Sequence, residues 1–254
     1  MILSQRSSRR ACLAILAGGA LAPRGALAAG LQFSPTLIDL APSQRTATLE
    51  VINRSAQVTA VQVRTFAWAQ SGGGAGGAAG GQDDALAATG DLAASPPVFS
   101  LPPGETQLVR IVLRTPVAAG NERAFRLLID EIPPPGQPGG VQLALRISLP
   151  VFAAAPDRTA ADLRWTLQPA GSGWEIVANN RGTRRARVGE LSATGPGGRQ
   201  LTAAPLDQNP WVLGGGRRRW RLADPSRVIW PGATVRLAGT LETGALEAVV
   251  MARG

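Results

Sequence analysis

Short segments with a hydrophobic period of two residues, separated by Pro and Gly turns, run through the chain from about residue 30 onward. The clearest is "VQLALRISLPVF" (residues 141–152), in which every odd-numbered residue is Val, Leu or Ile. This alternation is typical of a β-strand. No segment combines a sustained helical period with capping residues. Since the 254 residues also include 31 Gly and 20 Pro, the sequence predicts an all-β protein.

The spacing of the strand-like segments predicts two β-sandwich domains. Residues 31–152 contain about seven such segments, the first of which, Leu31–Leu40, is interrupted by Pro35 and suits an edge or sheet-switching strand. "AAAPDRTAA" (residues 153–161) has the composition of a linker, whereas the Gly-rich residues 71–84 predict a loop without a packing role. We place the first domain at residues 29–154 and the second at residues 155–254. Trp68 and the second-domain tryptophans are predicted to lie in the cores.

Residues 1–28 have the organisation of a secretory signal peptide. An arginine-bearing start precedes an apolar middle, Ala11 to Ala22, and a small-residue end at Ala26-Leu27-Ala28. "SRR" at Ser8–Arg10 is a weak match to a twin-arginine signal, so the general secretory route is favoured by about four to one. No later segment reaches the roughly 18 apolar residues of a membrane span. The sequence therefore predicts export without a membrane span.

The composition removes most catalytic chemistry. All 26 basic residues are arginine, His and Tyr are absent, and Cys12, the single cysteine, lies in the predicted signal peptide. There is thus no conventional base for a serine nucleophile, no thiolate and no Schiff-base lysine, and an ordinary zinc site is excluded. We expect no enzymatic activity, no cofactor and no metal. The net charge of +9 does not indicate a nucleic-acid partner, since no binding module is recognisable.

Several motifs, taken in order, resemble the PapD-like periplasmic pilus (fimbrial) chaperones. In the first half these are "ATLEVINRS", "FAWAQ", "LPPGETQLVRIVLRTP", "RAFRLLIDEIP" and "ALRISLPVF". In the second half, "VANNRGTRRARVGEL" and "LGGGRRRW" are similar to the archaic, sigma-type branch of this chaperone–usher family. The resemblance implies two immunoglobulin-like β-sandwich domains in a boomerang arrangement. It also implies a periplasmic chaperone that stabilises pilin subunits and delivers them to an outer-membrane usher for pilus assembly.

In this family the last strand of the first domain completes the unfinished fold of a pilin, a mode of strand addition called donor-strand complementation. The resemblance implies that the donated side chains are Val141, Leu143, Leu145 and Ile147. The pattern alone also fits a strand that only faces its own core. An exposed donor strand further implies that free chaperones can self-associate.

The family also implies a basic cleft that holds the C-terminal carboxylate of the pilin. The family's arginine and lysine positions are occupied here by Leu37 and Ser148. Arg126 and Arg146 are the candidate anchors, because a guanidinium can bind a carboxylate through two hydrogen bonds. The alternative is that each is a solvated arginine on the outer face of the sheet.

Two further patterns concern the contact between the domains and the usher. Glu122 aligns with a family glutamate that forms an ion pair between the domains, but Phe152 occupies the position where its basic partner is expected. "RGTRRAR" (residues 181–187) and "GGRRRWR" (residues 215–221) are each interpreted either as a basic patch for the usher or as a solvated turn. The competing hypothesis for the whole chain is a secreted structural or adhesive protein with immunoglobulin-like domains.

Overall fold

A computed structural model describes residues 30–70, 84–133, 144–157, 159–205 and 209–254. All regular secondary structure in these ranges is β, which confirms the predicted all-β class. Among the described residues there is no helix long and apolar enough to cross a membrane. The predicted signal peptide and residues 71–83 of the Gly-rich segment lie outside the described residues.

Ten strands precede the predicted linker, and eight follow it. The first ten are β1 (Leu31–Ser34), β2 (Ile38–Leu40), β3 (Thr46–Asn53), β4 (Thr59–Gln70), β5 (Asp84–Ala88), β6 (Leu92–Ser95), β7 (Val98–Leu101), β8 (Thr106–Leu113), β9 (Arg123–Ile132) and β10 (Arg146–Ala153). The other eight are β11 (Leu163–Ala170), β12 (Gly173–Asn180), β13 (Ala186–Thr194), β14 (Gln200–Pro205), β15 (Trp211–Val212), β16 (Arg217–Leu222), β17 (Thr234–Leu241) and β18 (Gly244–Met251).

The first ten strands form two sheets that pack face to face. One sheet has the order β1-β3-β8-β6, and the other has the order β2-β10-β9-β4-β5, with β7 also paired to β4. The alternating apolar residues of both sheets meet in one core, in which Leu49, Val109, Phe125 and Leu127 have no exposed surface. Period-two segments therefore build this sandwich as expected, because each sheet buries one face.

The proline-interrupted segment Leu31–Leu40 switches sheets. Its first part, β1, pairs antiparallel with β3, whereas β2 pairs in parallel with β10 in the facing sheet. Pro35 lies between the two strands, where no ladder hydrogen bond is required of it. The prediction of a sheet-switching strand is confirmed.

The strand count of the first half differs from the expected seven because β5, β6 and β7 are short strands without a strong pattern of their own. Residues 84–101 are rich in Ala and Ser, which gives little hydrophobic alternation. These strands are held by long neighbours instead: β5 and β7 pair with β4, and β6 pairs with β8. Such pairing is set by tertiary context, which local propensity does not show.

The last eight strands form a single sheet around a second core. Its order is β11-β12-β16-β14-β13-β17-β18, with β15 paired to β13, and a parallel bridge from Leu167 to Ala252 joins its two ends. Trp174 and Trp220 are buried in this core, as predicted for tryptophans of the second half. Trp230 departs from that prediction because it lies in a turn with 53% of its surface exposed.

We predict that Leu127→Ala lowers the free energy of unfolding by about 2–5 kcal/mol, because it leaves a cavity between the two sheets. The matched control is Leu108→Ala, whose side chain is 55% exposed on β8 and whose loss should cost less than about 0.5 kcal/mol. Urea unfolding followed by circular dichroism measures both. Equal costs for the two variants would contradict the assignment of the core.

Candidate functional site

The first part of β10 has one unpaired edge. Residues Arg146 to Pro150 pair with β9 on one side, whereas β2 covers only Val151–Ala153 on the other. The backbone N–H of Glu131 donates to the carbonyl of Leu145 at 2.9 Å, and that of Ala154 donates to Leu40 at 2.9 Å. Odd-numbered residues therefore direct their backbone groups to β9, and even-numbered ones direct theirs to the opposite edge.

This edge, formed by the backbone groups of Arg146 and Ser148 and by the nitrogen of Pro150, is called the open edge below. Among the described residues, no strand pairs with it. Pro150, which lacks an N–H, has its nitrogen on this side, as is usual for proline in an edge strand. Unpaired N–H and C=O groups in an edge strand are a template for pairing with another chain.

The apolar side chains on one face of β10 become progressively more exposed toward the start of the strand. Val151 is fully buried and Leu149 is 6% exposed, whereas Ile147 is half-buried against the first core and Leu145 is 41% exposed. Of the four predicted donor residues, Leu145 and Ile147 thus lie on one face beside the open edge. Val141 and Leu143 lie outside the described residues.

A cleft of about 850 Å³ adjoins the open edge and lies between strands of the first and second halves of the chain. Ser148 and Pro150 of β10 line it together with Leu37, so both positions at which the family has a basic residue face the same space. Arg126 of β9 also lines this cleft, and Trp211 and Arg187 contribute from the second half. The sequence-predicted candidate Arg126 is opposite Pro150 in the register of β9 and β10 and lines the same cleft as Ser148, where the resemblance implies a carboxylate site.

Arg126 has an aromatic neighbour and no carboxylate partner. Its guanidinium carbon lies 3.8 Å from the ring centre of Trp68, a cation–π contact. Within the described part of the chain Arg126 forms no ion pair or side-chain hydrogen bond. Burial lowers the pKa of Arg126 to about 10; the charge of Asp84 opposes this decrease and that of Arg218 adds to it. Arg126 therefore remains a cation at neutral pH and can attract an anion.

Arg146, the second candidate anchor, lies away from the cleft. It is opposite Asp130 in the register of β9 and β10, and its Nε donates to Asp130 Oδ1. Arg64 donates to the other carboxylate oxygen from Nη2 at 2.6 Å. Desolvation raises the pKa of Asp130, but the hydrogen bonds from Arg146 and Arg64 outweigh it and hold that pKa below its ordinary value. Arg146 is thus already bound to a carboxylate of its own domain.

The two halves of the chain are joined by a buried arginine that sequence reasoning missed. Arg185, 2% exposed, donates to Glu122 Oε2 at 2.6 Å and to Asp39 Oδ2 at 2.7 Å. Its guanidinium carbon lies 3.9 Å from the ring centre of Phe152. Burial raises the pKa of Glu122, and the charge of Arg185 offsets only part of that increase. Phe152 therefore does not remove the ion pair of Glu122: the basic partner comes from "RGTRRAR", whose Arg185 is neither a solvated nor an exposed residue.

A second set of hydrogen bonds between the halves lies at the wall of the cleft. The side chain of Gln70 donates to the carbonyl of Trp211 at 2.8 Å and accepts from the N–H of Leu213 at 2.8 Å. Asp84 accepts from Gln70 at 2.9 Å and from Asn209 at 2.6 Å. These contacts hold the ends of β4 and β5 against the second half and so define the width of the cleft. Among the described residues, no group of three or more potential metal ligands occurs.

This arrangement defines a protein-binding module, with an edge strand, exposed apolar side chains and a cationic cleft. The sequence matches the family "Pili and flagellar-assembly chaperone, PapD N-terminal domain" over residues 30–159, about half of the chain. The chain therefore belongs to the PapD-like pilus chaperone family, which is non-enzymatic. No curated protein sequence matches the chain significantly.

Solved structures of pilus chaperones share this fold. The chain is 19% identical, with a TM-score of 0.64, to a protein from the complex of CsuC with the tip adhesion subunit CsuE from the archaic Csu pili of Acinetobacter baumannii; the match covers 89% of this chain and 100% of that one. For the Salmonella enterica complex of the SafA pilin and the SafB chaperone, the values are 15% and 0.58, over 87% and 96% of the two chains. For the Pseudomonas aeruginosa chaperone CupB2 they are 17% and 0.54, over 88% and 100%.

We predict that Arg185→Leu lowers the free energy of unfolding by about 3–5 kcal/mol, because Glu122 is then left buried without a cation. The control Arg164→Leu removes an exposed ion pair with Asp162, and its loss should cost less than about 1 kcal/mol. Urea unfolding measures the energies, and small-angle X-ray scattering shows whether the two halves keep their arrangement. A variant that matches the control in both measurements would disprove the structural role of Arg185.

Proposed function

We propose that this protein is a periplasmic chaperone of the archaic branch that captures pilin subunits by donor-strand complementation. The observation that carries the proposal is the open edge of β10 with Leu145 and Ile147 beside it. Family membership and the shared fold with proteins of chaperone–subunit complexes support the same function.

In this mechanism β10 and the residues that precede it supply both kinds of contact that an unfinished sandwich lacks. The N–H and C=O groups of Arg146 and Ser148 pair with the backbone of the subunit. Val141, Leu143, Leu145 and Ile147 fill its hydrophobic groove at alternate positions. Each such side chain, when fully buried, contributes about 1.5–3 kcal/mol before the cost of ordering is subtracted. The captured subunit is then delivered to an outer-membrane usher.

The cleft provides the second attachment in the proposal, through Arg126. The C-terminal carboxylate of the subunit binds the Arg126 guanidinium, a charge-assisted hydrogen bond that can be bidentate. Arg126 is favoured over Arg146 because it lines the cleft and has no carboxylate partner among the described residues, whereas Arg146 is bound to Asp130. The aromatic face of Trp68 holds the guanidinium in place.

In the absence of a subunit, the open edge is an association hazard. Two free chaperones that pair their β10 strands would cover it, so self-association is part of the proposal. A pilin subunit and a second chaperone would compete for the same edge. The subunit would bind more tightly, because its groove also buries the apolar side chains.

We predict that Leu145→Asp reduces capture of a pilin by roughly tenfold to a hundredfold, because a charge replaces a side chain that enters the groove. Wild-type and variant chaperones with different tags are expressed in the periplasm with a pilin encoded beside the chaperone gene. The ratio of the two complexes after purification gives the loss. The matched control is Leu108→Asp, a leucine in the facing sheet that is 55% exposed, compared with 41% for Leu145. Full capture by a folded Leu145→Asp variant would refute the donor-strand assignment.

We predict that Arg126→Gln reduces capture of the same pilin by roughly tenfold, because it removes the charged partner of the carboxylate. Arg110→Gln, an exposed arginine on β8, is the control and should have no effect. A pilin extended by two glycines at its C-terminus tests the partner directly. Wild-type chaperone should lose affinity for the extended pilin, and Arg126→Gln should bind both forms equally. If Arg126→Gln loses as much affinity for the extended pilin as wild type does, another residue binds the carboxylate.

A further inference from the structure

The start of β10 is held on its outer face by one carboxylate shared between two arginines. Asp130 Oδ1 accepts from Nε of Arg146, and Asp130 Oδ2 accepts from Arg64 at 3.0 Å from Nε and 2.6 Å from Nη2. Arg64, Asp130 and Arg146 lie on β4, β9 and β10, three neighbouring strands of one sheet. We call these three residues the outer-face triad.

The outer-face triad lies where the core no longer fixes β10. Packing holds the strand firmly at Val151 and Leu149, but Ile147 is only half-buried and Leu145 is exposed. The Asp130–Arg146 pair is the single side-chain hydrogen bond or ion pair between β9 and β10 in the part of the chain that the structure describes. At its first residue, then, β10 has an electrostatic contact in place of a hydrophobic one.

The orientation of β10 at Arg146 determines which side chains and backbone groups face a subunit. Side chains alternate between faces along a strand, so a slip by one residue would turn Leu145 and Ile147 to the outer face. The same slip would exchange the backbone groups that point to β9 with those that point to the open edge. A contact that keeps Arg146 on the outer face therefore keeps Leu145 and Ile147 on the donor face.

We propose that Asp130 is a positioning residue for subunit capture, which holds Arg146 and thereby sets the face and register of the donor strand. Arg64 supports this role because its two hydrogen bonds fix the carboxylate so that Oδ1 points to Arg146. The inference rests on the proposed donor-strand function and adds to it a residue that does not touch the subunit. The affinity for a pilin thus depends on how well the start of β10 is already ordered in the free chaperone.

Asp130→Asn tests the proposal, because it removes the charge and keeps the size of the side chain. Competitive capture of the pilin against tagged wild type should fall by roughly three- to tenfold. Hydrogen exchange at the amides of Ile147 and Leu149, which face β9, should become faster in the free chaperone. Asp130→Glu should restore both. Asp162→Asn, which breaks the exposed pair with Arg164 in the second half, is the matched control and should change neither.

Arg146→Gln removes the same contact from the other side. It should give a loss of capture no larger than that of Asp130→Asn, which also breaks the ion pair with Arg64. The double variant should lose no more than Asp130→Asn, because the contact between Asp130 and Arg146 is already broken in each single variant. Additive losses would show that Asp130 acts other than through Arg146 and would overturn the proposal, as would unchanged exchange at Ile147 and Leu149.

The outcomes also separate this inference from the proposed function. Normal capture by Asp130→Asn with impaired capture by Leu145→Asp would refute the positioning role and leave the donor-strand function intact. Normal capture by both variants would refute the donor-strand function itself.

Discussion

The buried guanidinium of Arg185 is the contact on which the two-domain arrangement depends. It brings Glu122 and Asp39 of the first half together with the second half and stacks on Phe152, at the end of β10. A buried arginine requires several partners, because removing it from water is otherwise too costly. The two carboxylates and the aromatic face of Phe152, all from the first half, supply these partners to Arg185 of the second half. The cleft, whose walls come from both halves, exists because the orientation of the two halves is kept.

The same strand serves the contact between the domains and the proposed contact with a subunit. The C-terminal half of β10 is paired on both sides and carries Phe152 into the interdomain cluster with Trp68 and Trp211. Its N-terminal half has one unpaired edge and a partly exposed apolar face. Burial thus increases along the eight residues of β10. The buried C-terminal end holds the strand in place, and the N-terminal end keeps its unpaired backbone edge and exposed apolar side chains. A change in the anchored half would be transmitted to the cleft, since Pro150 and Ser148 line it.

The sequence predicted the strands and their faces better than the contacts between distant segments. β9 (Arg123–Ile132) coincides with the quoted motif "RAFRLLIDEIP" up to its final proline, because alternation is a local signal of burial on one face. The proline in Leu31–Leu40 likewise indicated the change of sheet. Arg185 could not be assigned in the same way, since "RGTRRAR" has the composition of an exposed basic turn and its two carboxylate partners lie 63 and 146 residues away. The one available signal was Glu122, which needed a basic partner that the neighbouring sequence did not supply.

Three arginines near β10 differ in how their charge is compensated, and this difference supports the distinct roles proposed for them. Arg185 has two carboxylates, and Arg146 shares Asp130 with Arg64. Arg126 has the face of Trp68 and, within the described residues, no carboxylate in contact; the nearby Asp84 is hydrogen-bonded to Gln70 and Asn209. An aromatic face stabilises a cation without neutralising it, so the attraction of Arg126 for an incoming anion is retained. The charge of Arg126 is partly desolvated in this position, and this desolvation lowers its pKa to about 10. A cation that is partly buried in a cleft without a contacting carboxylate supports the proposed role of Arg126 in binding the C-terminal carboxylate of a subunit.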